Sequence, residues 1–146
     1  MIGLDESMQM IHRAKKRLKR EGHKENNLTR GLAQMPPFPN EKFDSVISTF
    51  PSEYVFDPNT LIGIHRILKE NGRFIVLPAA WIGGKKFLDK CAAWLFHVTG
   101  ETPTEGIEVA SARFIHPLMT TGFQVEVHQR EIRSSNVVIL VARKNS

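Results

Sequence analysis

The chain has 146 residues, 41% of them apolar and 24% charged, with ten glycines, eight prolines and one cysteine. This suits a single domain, residues 1–146, and excludes disordered, collagenous and disulfide-stapled classes. Lone Cys91 permits no internal disulfide, no run of about 18 apolar residues offers a membrane span, and acidic Asp5 and Glu6 stand where a secretion signal would be basic, so a cytoplasmic chain is expected.

The net charge is +5, with a sequence pI near 9.6. It is concentrated: Arg13 to Lys24 carries seven basic residues against Glu21, and the remainder is close to neutral. The segment reads as the solvated face of a helix. Phosphate binding is the alternative, weakened because no aromatic residue interleaves the charges.

Met1 to Asp5 reads as the tail of a strand. A helical pattern follows, with Met8, Ile11, Ala14 and Leu18 on one face, Asp5 or Ser7 as cap and Gly22 as stop. Leu28 to Ala33 is a short strand candidate, and Met35 to Pro39 is a loop because three prolines remove donors. Phe43 to Phe50 reads as a strand closed by Pro51. Asp57-Pro58 starts a helix whose Leu61, Ile64, His65 and Leu68 share a face, with Asn71-Gly72 as its stop. Phe74 to Leu77 is a continuous apolar run, as expected of a strand covered on both faces. Strand, helix, strand in this order predicts a parallel crossover unit.

Ala79 to Gly100 is expected to hold a second long helix. Ile107 to Thr121 is mixed, with Pro117 interrupting or starting a short helix that Gly122 ends. Phe123, Val125 and Val127 alternate with polar residues, Ser134 to Asn136 is a turn, and Val137 to Ala142 is a last strand. That pair predicts a C-terminal antiparallel hairpin.

Three pieces now stand in order: Gly3-Leu-Asp-Glu-Ser7 before a helix; Ala33-Gln-Met-Pro-Pro-Phe-Pro-Asn-Glu-Lys-Phe-Asp-Ser-Val-Ile-Ser48; and Ile64-His-Arg-Ile-Leu-Lys-Glu-Asn-Gly-Arg-Phe-Ile-Val76. Together they resemble the class I S-adenosylmethionine-dependent methyltransferases, in particular the group acting on small molecules. The resemblance is close over residues 2–78 and looser beyond. It implies an α/β fold with a Rossmann-like, mostly parallel sheet and a C-terminal antiparallel hairpin. It also implies S-adenosylmethionine as cofactor and a small-molecule methyl acceptor.

An acid at the end of a strand can accept hydrogen bonds from both hydroxyls of a ribose. Asp5 stands at such a position; its alternative role is to cap the helix. By the resemblance, Asp5 and Glu6 take the ribose end of the cofactor, Leu32 and Ala33 flank adenine, and Thr49 and Phe50 follow at the carboxyl edge of the sheet. Many relatives carry an acid where Leu32 stands, so adenine would here meet backbone and apolar contact alone. Phe43 and Asp44 are read as structural. No catalytic residue is assigned: Glu53, Tyr54, His97 and His116 are candidate bases, needed only if the acceptor must lose a proton. Trp81, Phe87, Trp94 and Phe96 suit an apolar or aromatic acceptor; packing in the core is the equal alternative.

None of the ten glycines forms Gly-x-Gly, whereas the family has a Gly-rich turn after its first strand. By the resemblance the chain begins inside the second strand, so an N-terminally truncated fragment lacking the first strand, that turn and the first helix is expected. Burying one such strand contributes about 8–15 kcal/mol, which rivals the net stability of a domain, about 5–15 kcal/mol. Its loss would leave unpaired strand edges prone to self-association. Weak or absent cofactor binding is expected of such a fragment. Two other readings remain: a half-sheet completed by another subunit without catalysis, and a basic nucleic-acid-binding module built on Arg13 to Lys24.

Overall fold

The computed structural model describes residues 1–23, 27–49, 53–82, 107–132 and 135–145. The elements are β1 (Gly3–Asp5), α1 (Met8–Arg20), β2 (Leu28–Arg30), β3 (Phe43–Thr49), a 3₁₀ turn over Glu53–Phe56, α2 (Pro58–Ile67), β4 (Leu68–Ile82), α3 (Ile107–Thr120), β5 (Phe123–Ile132) and β6 (Ser135–Lys144).

The helix starts follow from local chemistry. Ser7 is extended and its side chain accepts from the Met10 amide, so it caps α1. Arg17, Lys19 and Arg20 fill the last turn, where cations complement the helix dipole. Gly22, at φ +73°, turns the chain away. Ile11 is buried and Ala14 and Leu18 are half-buried, but Met8 stays exposed, so the expected apolar face is only partly covered. In α2, Asp57 accepts from the Asn59 amide and Pro58 takes the first turn, as the sequence predicts.

Two sheets form. β1 and β2 make a parallel pair, Gly3–Asp5 against Leu28–Arg30. The second sheet has the order β3-β4-β6-β5. β3 and β4 are parallel across the α2 crossover, while β6 runs antiparallel to both β4 and β5. The expected crossover and C-terminal hairpin are therefore present, but the sheet is mixed rather than mostly parallel. Among the described residues no strand pairing joins the two sheets, and β1 and β3 each pair along one edge.

Three further expectations change. Leu68 leaves α2 and begins β4, because its fully buried side chain joins the core; Asn71, at φ +58°, sits in an irregularity of the strand instead of ending the helix. Ala79 to Ile82 continue β4 rather than opening a helix, since β6 offers Val138 to Ser135 as partners past a bulge at Val76/Ala79. The rest of that predicted helix lies outside the described residues. α3 runs through Pro117 without interruption, and the Thr120 and Thr121 hydroxyls donate to the Pro117 carbonyl.

The core lies on one face of the larger sheet. Leu61 and Ile64 of α2, Leu118 of α3, Phe74 and Val76 of β4, Phe123 of β5 and Leu140 and Ala142 of β6 pack together. The opposite face is less covered: Ile75 and Leu77 are half-buried, and Ile47, the register partner of Ile75, is 62% exposed. The expectation of a β4 run buried on both faces is thus corrected; α2 and α3 cover one. No described helix is long and apolar enough to cross a membrane.

Two outcomes follow for stability. Leu61→Ala empties a fully buried site and should cost about 2–5 kcal/mol in a urea titration. His65 is half-buried with its ring edge-on to Phe123, and burial first, then the Lys144 ammonium, lowers its pKa from 6.5. The unfolded chain therefore binds this proton more readily, so stability should fall as pH drops below about 7. His65→Phe should flatten that slope in denaturation curves taken between pH 7 and 5; an unchanged slope removes His65 as the cause.

Candidate functional site

The carboxyl end of the small sheet gathers four of the six residues expected to meet the cofactor: Asp5, Glu6, Leu32 and Ala33. Asp5 ends β1 opposite Arg30 of β2, and the Gly31 amide donates to the Asp5 carbonyl at 3.1 Å. The Arg30 guanidinium donates to the Glu6 carbonyl at 3.0 Å. Leu32 and Ala33 leave β2 directly after this junction; Leu32 is 50% exposed and Ala33 is half-buried. Asp5, Glu6, Leu32 and Ala33 therefore sit together because parallel pairing brings two strand ends side by side.

Asp5 is half-buried, and its carboxylate Oδ1 accepts from the Ser7 amide at 2.8 Å. Among the described residues its other oxygen meets no donor. The capping and ligand-binding roles weighed from the sequence are thus compatible: one oxygen orders the start of α1, and the other remains as an acceptor.

Thr49 lies elsewhere. It ends β3, pairs with Leu77 and is exposed. No described hydrogen bond links it to Asp5, and Phe50 lies outside the described residues. The segment from Gly31 to Lys42 runs from the end of β2 to the start of β3, the end of that strand opposite Thr49. The Glu41 and Lys42 amides donate to the Arg66 and Ile67 carbonyls, so this segment docks on the end of α2.

Arg66 belongs to the third sequence motif, where no local signal gives it a role. Its guanidinium donates to the carbonyls of Pro36 (2.9 Å) and Phe38 (2.7 Å) and to the Asn40 side chain (2.9 Å). A basic residue in the last helical turn is expected from the dipole alone. Nothing in the sequence signals acceptors about 30 positions upstream.

The remaining candidates are dispersed. Asp44 pairs with Lys69 at 2.8 Å, which lowers its carboxyl pKa, and Phe43 packs edge-on with Phe38. Tyr54 is exposed on the 3₁₀ turn and His116 is exposed on α3. Trp81 lies in β4, while Phe87, Trp94, Phe96 and His97 fall outside the described residues. Arg13, Lys16, Arg17, Lys19 and Arg20 are exposed on α1, with Arg17 paired to Glu21.

The two oxygens of Asp5 can be separated by mutation. Asp5→Ala removes the acceptor for the Ser7 amide and should cost about 1 kcal/mol. Asp5→Asn keeps a carbonyl oxygen there and should stay within about 0.5 kcal/mol of the parent. Equal losses in thermal denaturation would mean that the Ser7 contact does not order α1.

The comparisons with known proteins agree on the architecture. A family model described as a methyltransferase domain matches residues 1–76, more than half of the chain. Among curated proteins none matches the sequence. The YcgJ protein from Bacillus subtilis superposes with a TM-score of 0.68 at 13% identity, over 99% of this chain and 82% of that one. An S-adenosylmethionine-dependent methyltransferase from Methanosarcina mazei superposes with a TM-score of 0.62 at 17% identity, over 99% and 81%. The cyclase SpnF also matches, with a TM-score of 0.66 at 12% identity over 99% and 66%, so likeness of fold leaves the chemistry open. The α/β fold with its mixed sheet resembles the Rossmann-like fold of class I methyltransferases, and by the match over its first 76 residues the chain belongs to the methyltransferase domain family.

Proposed function

We propose that this chain recognises the nucleoside part of S-adenosylmethionine at the carboxyl end of β1 and β2, in the service of methyl transfer to a small apolar or aromatic acceptor. The observation that carries the reading is Asp5, half-buried at a strand end, with one carboxylate oxygen engaged by the Ser7 amide. Its other oxygen would accept from the ribose hydroxyls. Glu6 would flank the ribose, and Leu32 and Ala33 would offer adenine an apolar surface. Thr49 and Phe50 would approach from the end of β3.

S-adenosylmethionine supplies an electrophilic methyl group on sulfur. The protein's part is to hold the nucleoside, exclude water and align the acceptor. No base is assigned, because only an acceptor that must lose a proton needs one. An apolar or aromatic acceptor is supported by Trp81 near the end of β4 and by Phe87, Trp94 and Phe96, which follow it in the sequence.

The residues fit the cofactor unevenly. Asp5, Leu32 and Ala33 suit a nucleoside, whereas no Gly-x-Gly turn is present to approach the methionine part. Adenosine and S-adenosylmethionine should therefore bind this chain weakly and with similar affinity in isothermal titration. Asp5→Asn should weaken both by about tenfold, the equivalent of one charge-assisted hydrogen bond. No binding of either ligand, or unchanged binding by Asp5→Asn, would remove the nucleoside site. Much tighter binding of S-adenosylmethionine than of adenosine would contradict a site limited to the nucleoside part.

A further inference from the structure

The segment from Gly31 to Lys42 carries Leu32 and Ala33, and its path is set from two sides. On the β1 side, a Cβ added to Gly31 would lie 3.0 Å from both Leu4 and Pro37, so the segment turns tightly against the strand. On the other side it lies against α2. A Cβ on Gly63 would fall 2.8 Å from Pro36 Cδ, closer than a real side chain tolerates, and 3.4 Å from the Gln34 carbonyl oxygen, at the edge of ordinary contact. One turn later, the Arg66 guanidinium takes the carbonyls of Pro36 and Phe38 and the Asn40 side chain.

We propose that Gly63 and Arg66 form a positioning device on α2 that fixes the Pro36–Asn40 segment and thereby sets the geometry of Leu32 and Ala33 at the nucleoside site. Gly63 gives the approach and Arg66 gives the orientation. Three prolines at 36, 37 and 39 make the segment stiff, so a displacement at Pro36 passes along the chain rather than being absorbed by it. Pro36 lacks an amide hydrogen, so its carbonyl is its one backbone hydrogen-bonding group, and it accepts from both the Phe38 amide at 2.8 Å and the Arg66 guanidinium at 2.9 Å. The fork matters as much as the charge: a planar guanidinium spans three acceptors in fixed directions, which an ammonium on a flexible stem does not reproduce. Arg66 is a positioning residue here and needs no contact with the ligand.

The inference rests on the nucleoside reading above, and the experiment separates the two. Amide hydrogen exchange at residues 31–35 and titration with adenosine would be measured on the parent chain, Arg66→Lys, Arg66→Ala and Gly63→Ala. Both Arg66 variants should exchange faster at residues 31–35 and bind adenosine about tenfold more weakly, a loss on the scale of one hydrogen bond. Gly63→Ala raises helix propensity in α2. Weaker binding by that variant, with α2 amides as protected as in the parent, therefore reports displacement of Pro36 and not loss of the helix. Unchanged exchange at residues 31–35 in all three variants would overturn the positioning role. So would faster exchange with adenosine affinity intact. A parent chain that binds no adenosine would instead overturn the nucleoside reading and the link to it, while exchange still decides whether α2 pins the segment.

Discussion

The three hydrogen bonds from the Arg66 guanidinium to Pro36, Phe38 and Asn40 carry more of this molecule than their number suggests. Among the described residues β1–β2 and β3–β4–β6–β5 share no strand pairing. The relative placement of the sheets therefore depends on side-chain packing and on the covalent path from Gly31 to Lys42. That path is proline-rich and short of amide donors, and among the described residues its internal backbone bonds are Met35 amide to Leu32 carbonyl and Phe38 amide to Pro36 carbonyl. An arginine supplying donors from a helix satisfies its carbonyls and fixes its direction together. The backbone bonds from Glu41 and Lys42 to the end of α2 complete the docking.

The same division explains the uneven burial. The face of the larger sheet that meets α2 and α3 is closed, with Phe74, Val76 and Leu140 almost fully out of water. The opposite face leaves Ile47 exposed beside half-buried Ile75 and Leu77. β3 pairs with β4 along one edge, and β1 with β2 along one edge. Edge strands are usually blunted by charge, proline or covering structure. β3 has Asp44 alone among its seven residues, already paired with Lys69. The apolar character of Val46 and Ile47 is that of an interior strand.

Much of the fold was legible because short-range chemistry dictates it. Asp57-Pro58 fixes the start of α2, Ser7 the start of α1, and the alternation from Phe123 onward gives β5 its two faces. What the sequence misplaced depends on long-range partners. Leu68 belongs by periodicity to the α2 face, yet it enters β4. Ala79 to Ile82 lack a strand signature and extend β4 because β6 lies beside them. Pro117 reads as the interruption or the start of a short helix, yet α3 continues through it. The adjacency of the candidate residues Asp5, Glu6, Leu32 and Ala33 was legible, because the resemblance places them at one nucleoside site and parallel pairing sets their strand ends side by side. Arg66 and Gly63 were not, because their significance lies in a contact with Pro36 that no local pattern encodes.

The account turns on a nucleoside lying against the ends of β1 and β2. Nuclear Overhauser contacts between adenosine and the protein test this most directly. The account predicts contacts from adenine protons to the methyl groups of Leu32 and Ala33, together with contacts from ribose protons to the Asp5 β-protons. Adenosine that binds with its contacts confined to other residues, such as the basic face of α1, would contradict it.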